Sequence, residues 1–496
     1  MRFFLLAFLG ALPVLGVTPV LNDGSVVQVL SFRAPTKAPL TTFTEVSISV
    51  SNPRDIISLS LIHHRHGGNR PFSATQELAK KMTLQGKLDF PPGNHLFLVE
   101  VIAKENTHLS KRLKITVDWM RDSTGKKHEI TDATANLRFA YPIHHRGQFG
   151  CHTNRIPGIA KAKDGSLLAV FDMRYRSSRD LQGHMDIGLR RSTDQGQNWS
   201  LPRPIMDMGT YGRKSEDENG CSDPCILVDE NTGEIFVFAV WTHGRPNTHQ
   251  WVGKGSAPGL GLETSSQLMV VQSSDHGLTW SEPKNLTKEL KNPEWYLFAP
   301  APGNGITLKN GMLVIPSQGR DAKGLPFSNI TYSKDHGKTW QLSAPARTNT
   351  TECAVVELSD GSLMLNMRDN RNRKHKSATN GRAVAVTRDL GETWEVHSTD
   401  HSALPEPVCM ASLIRHKAHL LFSNPNHKSS RTNVTLRASS DDGLTWPHQI
   451  LLDSAGSGYG YSSLVMVDED TVGIIYESSQ ADLIFQRIKL KELIKP

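Results

Sequence analysis

Cysteine is scarce in this chain: five residues in 496, an odd number. That is too few for a disulfide-built scaffold, so the fold must rest on a hydrophobic core. Cys221 and Cys225 in CSDPC have the spacing of a local disulfide or half a metal site. No second pair matches them, and buried free thiols are the expectation for these two and for Cys151, Cys353 and Cys409. Long apolar runs are equally rare. Beyond the first 19 residues no window of about 18 apolar residues occurs, so no membrane-spanning segment is expected in the mature protein. There is no G-x-x-x-x-G-K-[ST] phosphate loop and no HExxH. His63, His64 and His66, and again His144, His145 and His152, cluster without a carboxylate at ligand spacing, so no metal and no cofactor is expected. Nor is there a long basic run. The 56 Lys plus Arg against 49 Asp plus Glu leave +7, the charge of a mildly basic solvated surface rather than a nucleic-acid binder.

The opening residues are different. Met1-Arg2 precedes FFLLAFLGALPVLGV, uncharged, too short and too Pro-interrupted for a comfortable span. Residues 1–19 therefore read as a secretory signal peptide, and a secreted or periplasmic protein is expected. Residues 20–135 contain period-2 apolar runs, FTEVSISVS (43–51), IISLSLI (56–62), HLFLVEVIA (95–103) and RLKITVDW (112–119). Such runs predict strands with one buried face, hence a small β-sandwich. Ser73 and Gln76 have capping-box spacing and predict a short helix over 73–82. A polar stretch over 122–137 places the domain junction, with a second domain from 140 to 496.

Within that second domain a single phrase recurs: STDQGQNW from 192, SSDHGLTW from 273, SKDHGKTW from 333, TRDLGETW from 387 and SSDDGLTW from 439. The aspartates Asp194, Asp275, Asp335, Asp389 and Asp441 lie 81, 60, 54 and 52 residues apart, the scale of one four-stranded propeller blade. The 356 residues from 141 to the end leave room for six, one without a box. The long first gap contains the Gly-rich WVGKGSAPGLGLE (251–263), the candidate insertion. Gly supplies a positive φ, Asp and Ser/Thr side chains satisfy turn backbone groups, and Trp buries a ring between sheets. The boxes are fold elements and no argument for catalysis. The fold class predicted is all-β, a six-bladed β-propeller preceded by a small β-sandwich.

The repeated phrase is the Asp-box, and together with NRIPGIA (154–160) it makes residues 140–490 resemble the bacterial exo-sialidases of glycoside hydrolase family 33. Residues 20–130 resemble the sandwich that precedes the propeller in some of these enzymes, with a possible carbohydrate-binding role. The chain departs from the family at Asn154, where Phe or Tyr usually stands before Arg-Ile-Pro. The implied substrate is a sialylated glycan. Sialic acid carries a carboxylate on its anomeric carbon, and planar, permanently charged arginines suit that anion better than lysines. Arg155 in RIP, Arg368 in LMLNMRDN and Arg431 in NHKSSRTNVTLR match the family's three clamp arginines, with Arg437 a rival for the third place.

The other roles follow from the same resemblance. Asp180, in a loop between strand-like runs that hold Asp172 and Asp186, matches the acid/base, and a hydrophobic substrate face beside it is expected to raise its pKa. Arg174 matches a pocket arginine near the sugar's O4. Sialidases are an exception to the carboxylate nucleophile and use Tyr; a neutral phenol approaches a centre beside a carboxylate without repulsion. Tyr461 in SGYGYSSLVMVDED matches it, with Tyr459 the rival. A phenol of pKa about 10 needs a base, and Glu352 in NTTECAVVELSDG matches that role. Glu477 in GIIYESS matches the carboxylate that orients Arg155. The expected activity is hydrolysis with retention; the alternatives are an intramolecular trans-sialidase giving an anhydro product and a sialoglycan-binding propeller without turnover. Linkage preference and oligomeric state leave no mark on the sequence.

Overall fold

The computed structural model describes residues 25–33, 41–51, 53–63, 72–74, 78–90, 94–103, 115–129, 138–144, 146–181, 183–243, 256–374, 380–453, 459–478 and 481–494. The signal-peptide reading and His64, His66 and His145 lie outside them. Among the described residues no helix is long and apolar enough to cross a membrane.

The alternating N-terminal runs form strands. Thr41–Val50 pairs antiparallel with Lys81–Phe90 and Ile115–Asp122, and Lys127–Glu129 extends the array. A second antiparallel array contains Phe72–Ala74, Ile56–His63, Asn94–Ala103 and Ser25–Arg33. Phe43, Val46, Ile48 and Met120 of the first meet Leu59, Leu61 and Phe72 of the second in one core, which makes the pair a sandwich. The helix expected over 73–82 is not formed: Phe72–Ala74 and Lys81–Phe90 are strands, and 75–77 lie outside the described residues. The reason is the period-2 pattern. Leu84 and Leu88 are buried while Lys81, Thr83, Gln85 and Lys87 are exposed, and that alternation outweighs the capping-box signal.

The rest of the chain repeats one unit. Antiparallel strands fall into the groups Thr153–Lys161, Leu167–Arg174, Met185–Ser192 and Arg203–Met206; Asn219–Val228, Ile235–His243, Gln267–Ser273 and Lys284–Asn285; Leu297–Pro300, Leu313–Arg320, Pro326–Ser333 and Gln341–Leu342. Then come Thr350–Glu357, Leu363–Asp369, Ala383–Thr387 and Glu395–Val396, followed by Ser412–His416, His419–Pro425, Val434–Ser439 and His448–Asp453. A last group takes Ser462–Asp468, Thr471–Tyr476 and Leu483–Lys489, and its fourth strand is Arg138–His144 from far upstream. This is a β-propeller, its ring closed by an early strand laid beside the final one. The closing strand also pairs with Ser25–Arg33, so the sheet runs on into the sandwich.

Every box sits at the hairpin between the third and fourth strands of its group. In each, the Ser or Thr hydroxyl donates to the Asp carboxylate, at 2.8 Å for Ser192–Asp194 and 2.7 Å for Thr387–Asp389, while the Gly N–H donates back to the hydroxyl. The Gly lies at φ near +82°, and the residue before it is also left-handed, as at Gln195 (φ 63°) and His336 (φ 58°). Trp199, Trp280 and Trp340 donate their indole N–H to the box Gly carbonyl. The closing group has no box for a plain reason: its third and fourth strands are not joined by a hairpin.

Candidate active site

The site collects at one end of the first strands, which lie side by side around the axis. In Thr153–Lys161 the pairing register shifts between Arg155 and Gly158, a β-bulge with Ile156 at φ 59°. A β-branched residue in that region is strained, and its N–H is held by Glu477 at 3.0 Å. Gly158 is required here because a Cβ would stand 2.4 Å from the Gly303 carbonyl oxygen. The bulge turns Arg155 toward the axis. Its Nε donates to Glu477 at 3.0 Å and its Nη1 to Asp180 at 3.2 Å, while its guanidinium carbon lies 4.0 Å from the centre of the Tyr459 ring. Burial opposes the charge on Arg155, and the carboxylates of Glu477 and Asp180 outweigh it.

Glu477, fully buried after the strand Thr471–Tyr476, also accepts the Tyr461 N–H at 3.0 Å. One carboxylate therefore fixes Arg155 and the backbone that presents Tyr461. The Tyr461 phenol donates to Glu352, and Arg368 Nη1 donates to the phenol oxygen at 2.8 Å and to Glu352 as well. Burial, then the Glu352 charge, pushes the Tyr461 phenol well above its ordinary pKa, with Arg368 and Arg431 pulling the other way. At rest the group is a neutral phenol already bonded to a carboxylate. Arg431 completes the cluster: it donates to the Tyr459 carbonyl at 3.1 Å and to the Val408 carbonyl at 2.7 Å, and lies 5.5 Å from the Tyr461 ring centre.

Asp180 stands across from them, 43% exposed, in the loop after Leu167–Arg174. One of its carboxylate oxygens accepts from both Arg155 and Arg174, the latter at 2.7 Å. Its near neighbours in the protein are thus guanidiniums. Arg174 is itself buried and anchored on Asp172 at 2.7 Å, so it supports Asp180 from behind. The loop is clipped at its base by Tyr175, whose phenol donates to Asp186 at 2.6 Å and whose ring stacks on His184 at 4.1 Å. Burial pushes Asp186 up to about 7.

Arg155, Asp180, Glu352, Arg368, Arg431 and Tyr461 all line one cavity of ≈ 460 Å³, within the range of small-molecule sites. The rivals do not line it. Asp172 and Asp186 are buried in structural bonds, Arg437 is a strand residue bonded to Asn424 at 3.1 Å, and Tyr459 serves as a ring under Arg155.

Other lining residues had no sequence signal assigned to them: Asp223, Gln318, Arg320, Asn370 and Arg373. Asp223 sits at φ 61° in a bulge of Asn219–Val228. Burial, then the charges of Asp172 and Glu352, pushes its carboxyl well above the ordinary value. It lies in the CSDPC motif, read for its thiols; Cys221 and Cys225 are free and buried. Among the described residues no group of three or more His, Cys, Asp or Glu is arranged to hold a metal.

The pattern of the BNR repeat-like domain matches residues 165–474. A sialidase of Bacteroides fragilis (strain YCH46) is 43% identical over 84% of this chain and 77% of its own length. A sialidase of Micromonospora viridifaciens is 34% identical over 67% of this chain, the match covering half of that longer protein. Among solved structures, the Hadza microbial sialidase Hz136 superposes with a TM-score of 0.78 at 36% identity, over 96% of this chain and 99% of that one.

Proposed function

The chain belongs to the BNR-repeat sialidases, and from that premise we propose how its cavity releases sialic acid. It is an exo-α-sialidase, a glycoside hydrolase acting on the sialylated ends of glycans. In the proposed reaction Arg155, Arg368 and Arg431 clamp the substrate carboxylate. Asp180 protonates the glycosidic oxygen, and the Tyr461 oxygen bonds to the anomeric carbon as its proton passes to Glu352. Water, deprotonated by Asp180, then attacks the same carbon, Tyr461 takes its proton back, and free sialic acid leaves with retention.

The observation that carries this reading is the Tyr461 phenol bonded at once to Glu352 and Arg368. A phenolate formed alone in this buried place is disfavoured. Proton transfer to a base already in contact avoids that cost, and the nearby guanidiniums compensate the charge. Asp180 is freed for its task when the substrate carboxylate takes its place on Arg155. The strand groups described above support six blades, and the first 19 residues support export. Which glycoproteins, glycolipids or oligosaccharides are met, and whether the sandwich binds glycans, is open to glycan-array measurement.

The test is incubation with α2,3- and α2,6-sialyl-lactose followed by mass and anomeric analysis of the products. Free sialic acid appearing first as the α-anomer supports the scheme. The anhydro sugar would assign the chain to the intramolecular trans-sialidases, and tight binding without turnover would make it a lectin.

A further inference from the structure

Two arginines of the cavity wall stand apart from the clamp. Arg320 ends the strand Leu313–Arg320, and Arg373 ends the short turn Asn370–Arg373 that follows the strand carrying Arg368. Both line the cavity. The three clamp arginines are engaged by Glu477 and Asp180, by Glu352 and Tyr461, and by two carbonyls. Arg320 and Arg373, by contrast, make no side-chain hydrogen bond or ion pair among the described residues, and Arg320 Nε is buried with no acceptor. Burial disfavours the charge on each; Arg320 also feels Arg373, and Arg373 feels Arg368 and Arg431, which the Glu352 charge offsets only in part. Guanidiniums do not discharge by losing a proton, so this repulsion persists until an anion arrives.

The substrate's own carboxylate is already served by the clamp. Arg373 is exposed and Arg320 half-buried, so they stand toward the mouth. In an exo-acting site the terminal sugar fills the floor and its neighbour lies at the mouth. We propose that Arg320 and Arg373 form a subsite for a second anionic group carried by the sugar next to the sialic acid. That anion is the carboxylate of another sialic acid in a disialyl unit or a sulfate ester on a neutral sugar. The inference rests on the sialidase reading and adds the class of aglycone.

The test compares kcat/KM on sialyl-lactose, on the same trisaccharide sulfated on galactose, and on disialyl-lactose. Each charged substrate is expressed as a ratio to the neutral one. The wild type should favour at least one charged arm, and the ratio should fall as salt is raised because Arg373 is open to screening. The arm that responds identifies the anion. In the double variant Arg320→Gln, Arg373→Gln the ratio should drop by roughly threefold to tenfold. Arg373→Gln alone should give a smaller drop, and a melting curve on each variant checks folding. Arg388→Gln, at an exposed ion-paired arginine elsewhere, should leave the ratio unchanged. Ratios at or below one in both wild-type arms, or ratios untouched by the double variant, overturn the inference while leaving hydrolysis of sialyl-lactose standing. A wild type that releases nothing from any of the three overturns the sialidase reading and this subsite together.

Discussion

Replacing Tyr461 by Phe removes a single oxygen, and the structure says what that oxygen does. It donates to Glu352 and accepts from Arg368 at 2.8 Å, at the floor of the cavity. Glu352 and Arg368 stay bonded to each other, so no buried charge is orphaned, and the stability cost should stay within about 1–2 kcal/mol. The ring remains beneath Arg431, and the carboxylate clamp is intact, so sialic acid should still bind. Turnover should not survive if the proposed scheme holds, because the oxygen assigned there to the covalent bond is gone. A fall in kcat by a factor of hundreds or more corresponds to upward of about 3 kcal/mol in the barrier. Steady-state release from sialyl-lactose, calorimetric binding of sialic acid and a melting curve together separate chemistry from folding. Near wild-type kcat in Tyr461→Phe would refute the assignment, and a dead Tyr459→Phe beside it would move the nucleophile two residues along the chain.

Asp180→Asn should cost far more with sialyl-lactose than with an aryl sialoside whose leaving group needs no proton; equal losses on both would show that Asp180 is not the acid. Arg→Lys at Arg155, Arg368 or Arg431 keeps charge but loses the planar fork, so each should lose some of the preference for a sialoside over its carboxyl-reduced analogue. Arg437→Lys should not, and a reversed pattern between 431 and 437 would reassign the third arm. Asp335→Ala removes an acceptor for Ser333 and Thr339 and should lower Tm by a few degrees while sparing kcat of the folded protein; an inactive variant of unchanged Tm would contradict the scaffold role. The Asp335 carboxylate is held at about 2 by those bonds, below its unfolded value of about 3.9, so its stabilisation is complete above that value and fades as pH falls toward about 2; the variant should flatten this acid limb of the Tm profile. Asn154→Leu should raise Tm, since the Asn154 amide oxygen and nitrogen are both buried without partners, a cost of about 1–3 kcal/mol; a lower Tm would mean that the amide is satisfied in solution.

Much of this was legible because it repeats. Period-2 runs in residues 41–122 became strands, and five similar hairpins announced themselves by composition. The clamp, acid, base and nucleophile candidates met in one cavity because each matched a chemical demand in a recognisable context. Lone residues had no such help. Asp223, Arg320 and Arg373 stand in no spacing relation to each other, and what brings them together is the closure of the ring. A retrospective signal exists for Asp223. Register shifts fall at Arg155/Gly158, Ser222/Cys225 and Thr350/Cys353, each in the first strand of a group and each beside a cavity residue, Arg155, Asp223 and Glu352. Pro follows closely in two of them, a residue that a regular ladder tolerates poorly. The helix misread at 73–82 shows the opposite error, a local cap signal preferred over the alternation that continues through Leu88.

The division of labour within each repeat explains why the boxes could be mistaken for chemistry and yet are not. A box lies between the third and fourth strands, where its bonds close within the turn. The cavity residues come from the first strands (Arg155, Asp223, Glu352), from the ends of second strands (Arg320, Arg368) and from the segments after second strands (Asp180, Arg373, Arg431), where the groups converge and a bulge can tip a side chain off the sheet. Two of those first strands meet at the seam: Arg155 belongs to the first complete group, Tyr461 and Glu477 to the last, and the Arg155–Glu477 bond joins residues 322 positions apart. That distance is spanned without a covalent link because Arg138–His144 pairs with Leu483–Lys489, while Trp199 of the first box packs edge-on against Phe485 of the last group at 5.2 Å. The seam therefore holds the Tyr461 backbone and the Arg155 guanidinium in one frame. Since the same closing strand also pairs with Ser25–Arg33, the sandwich braces the place where the site is assembled from the two ends of the ring.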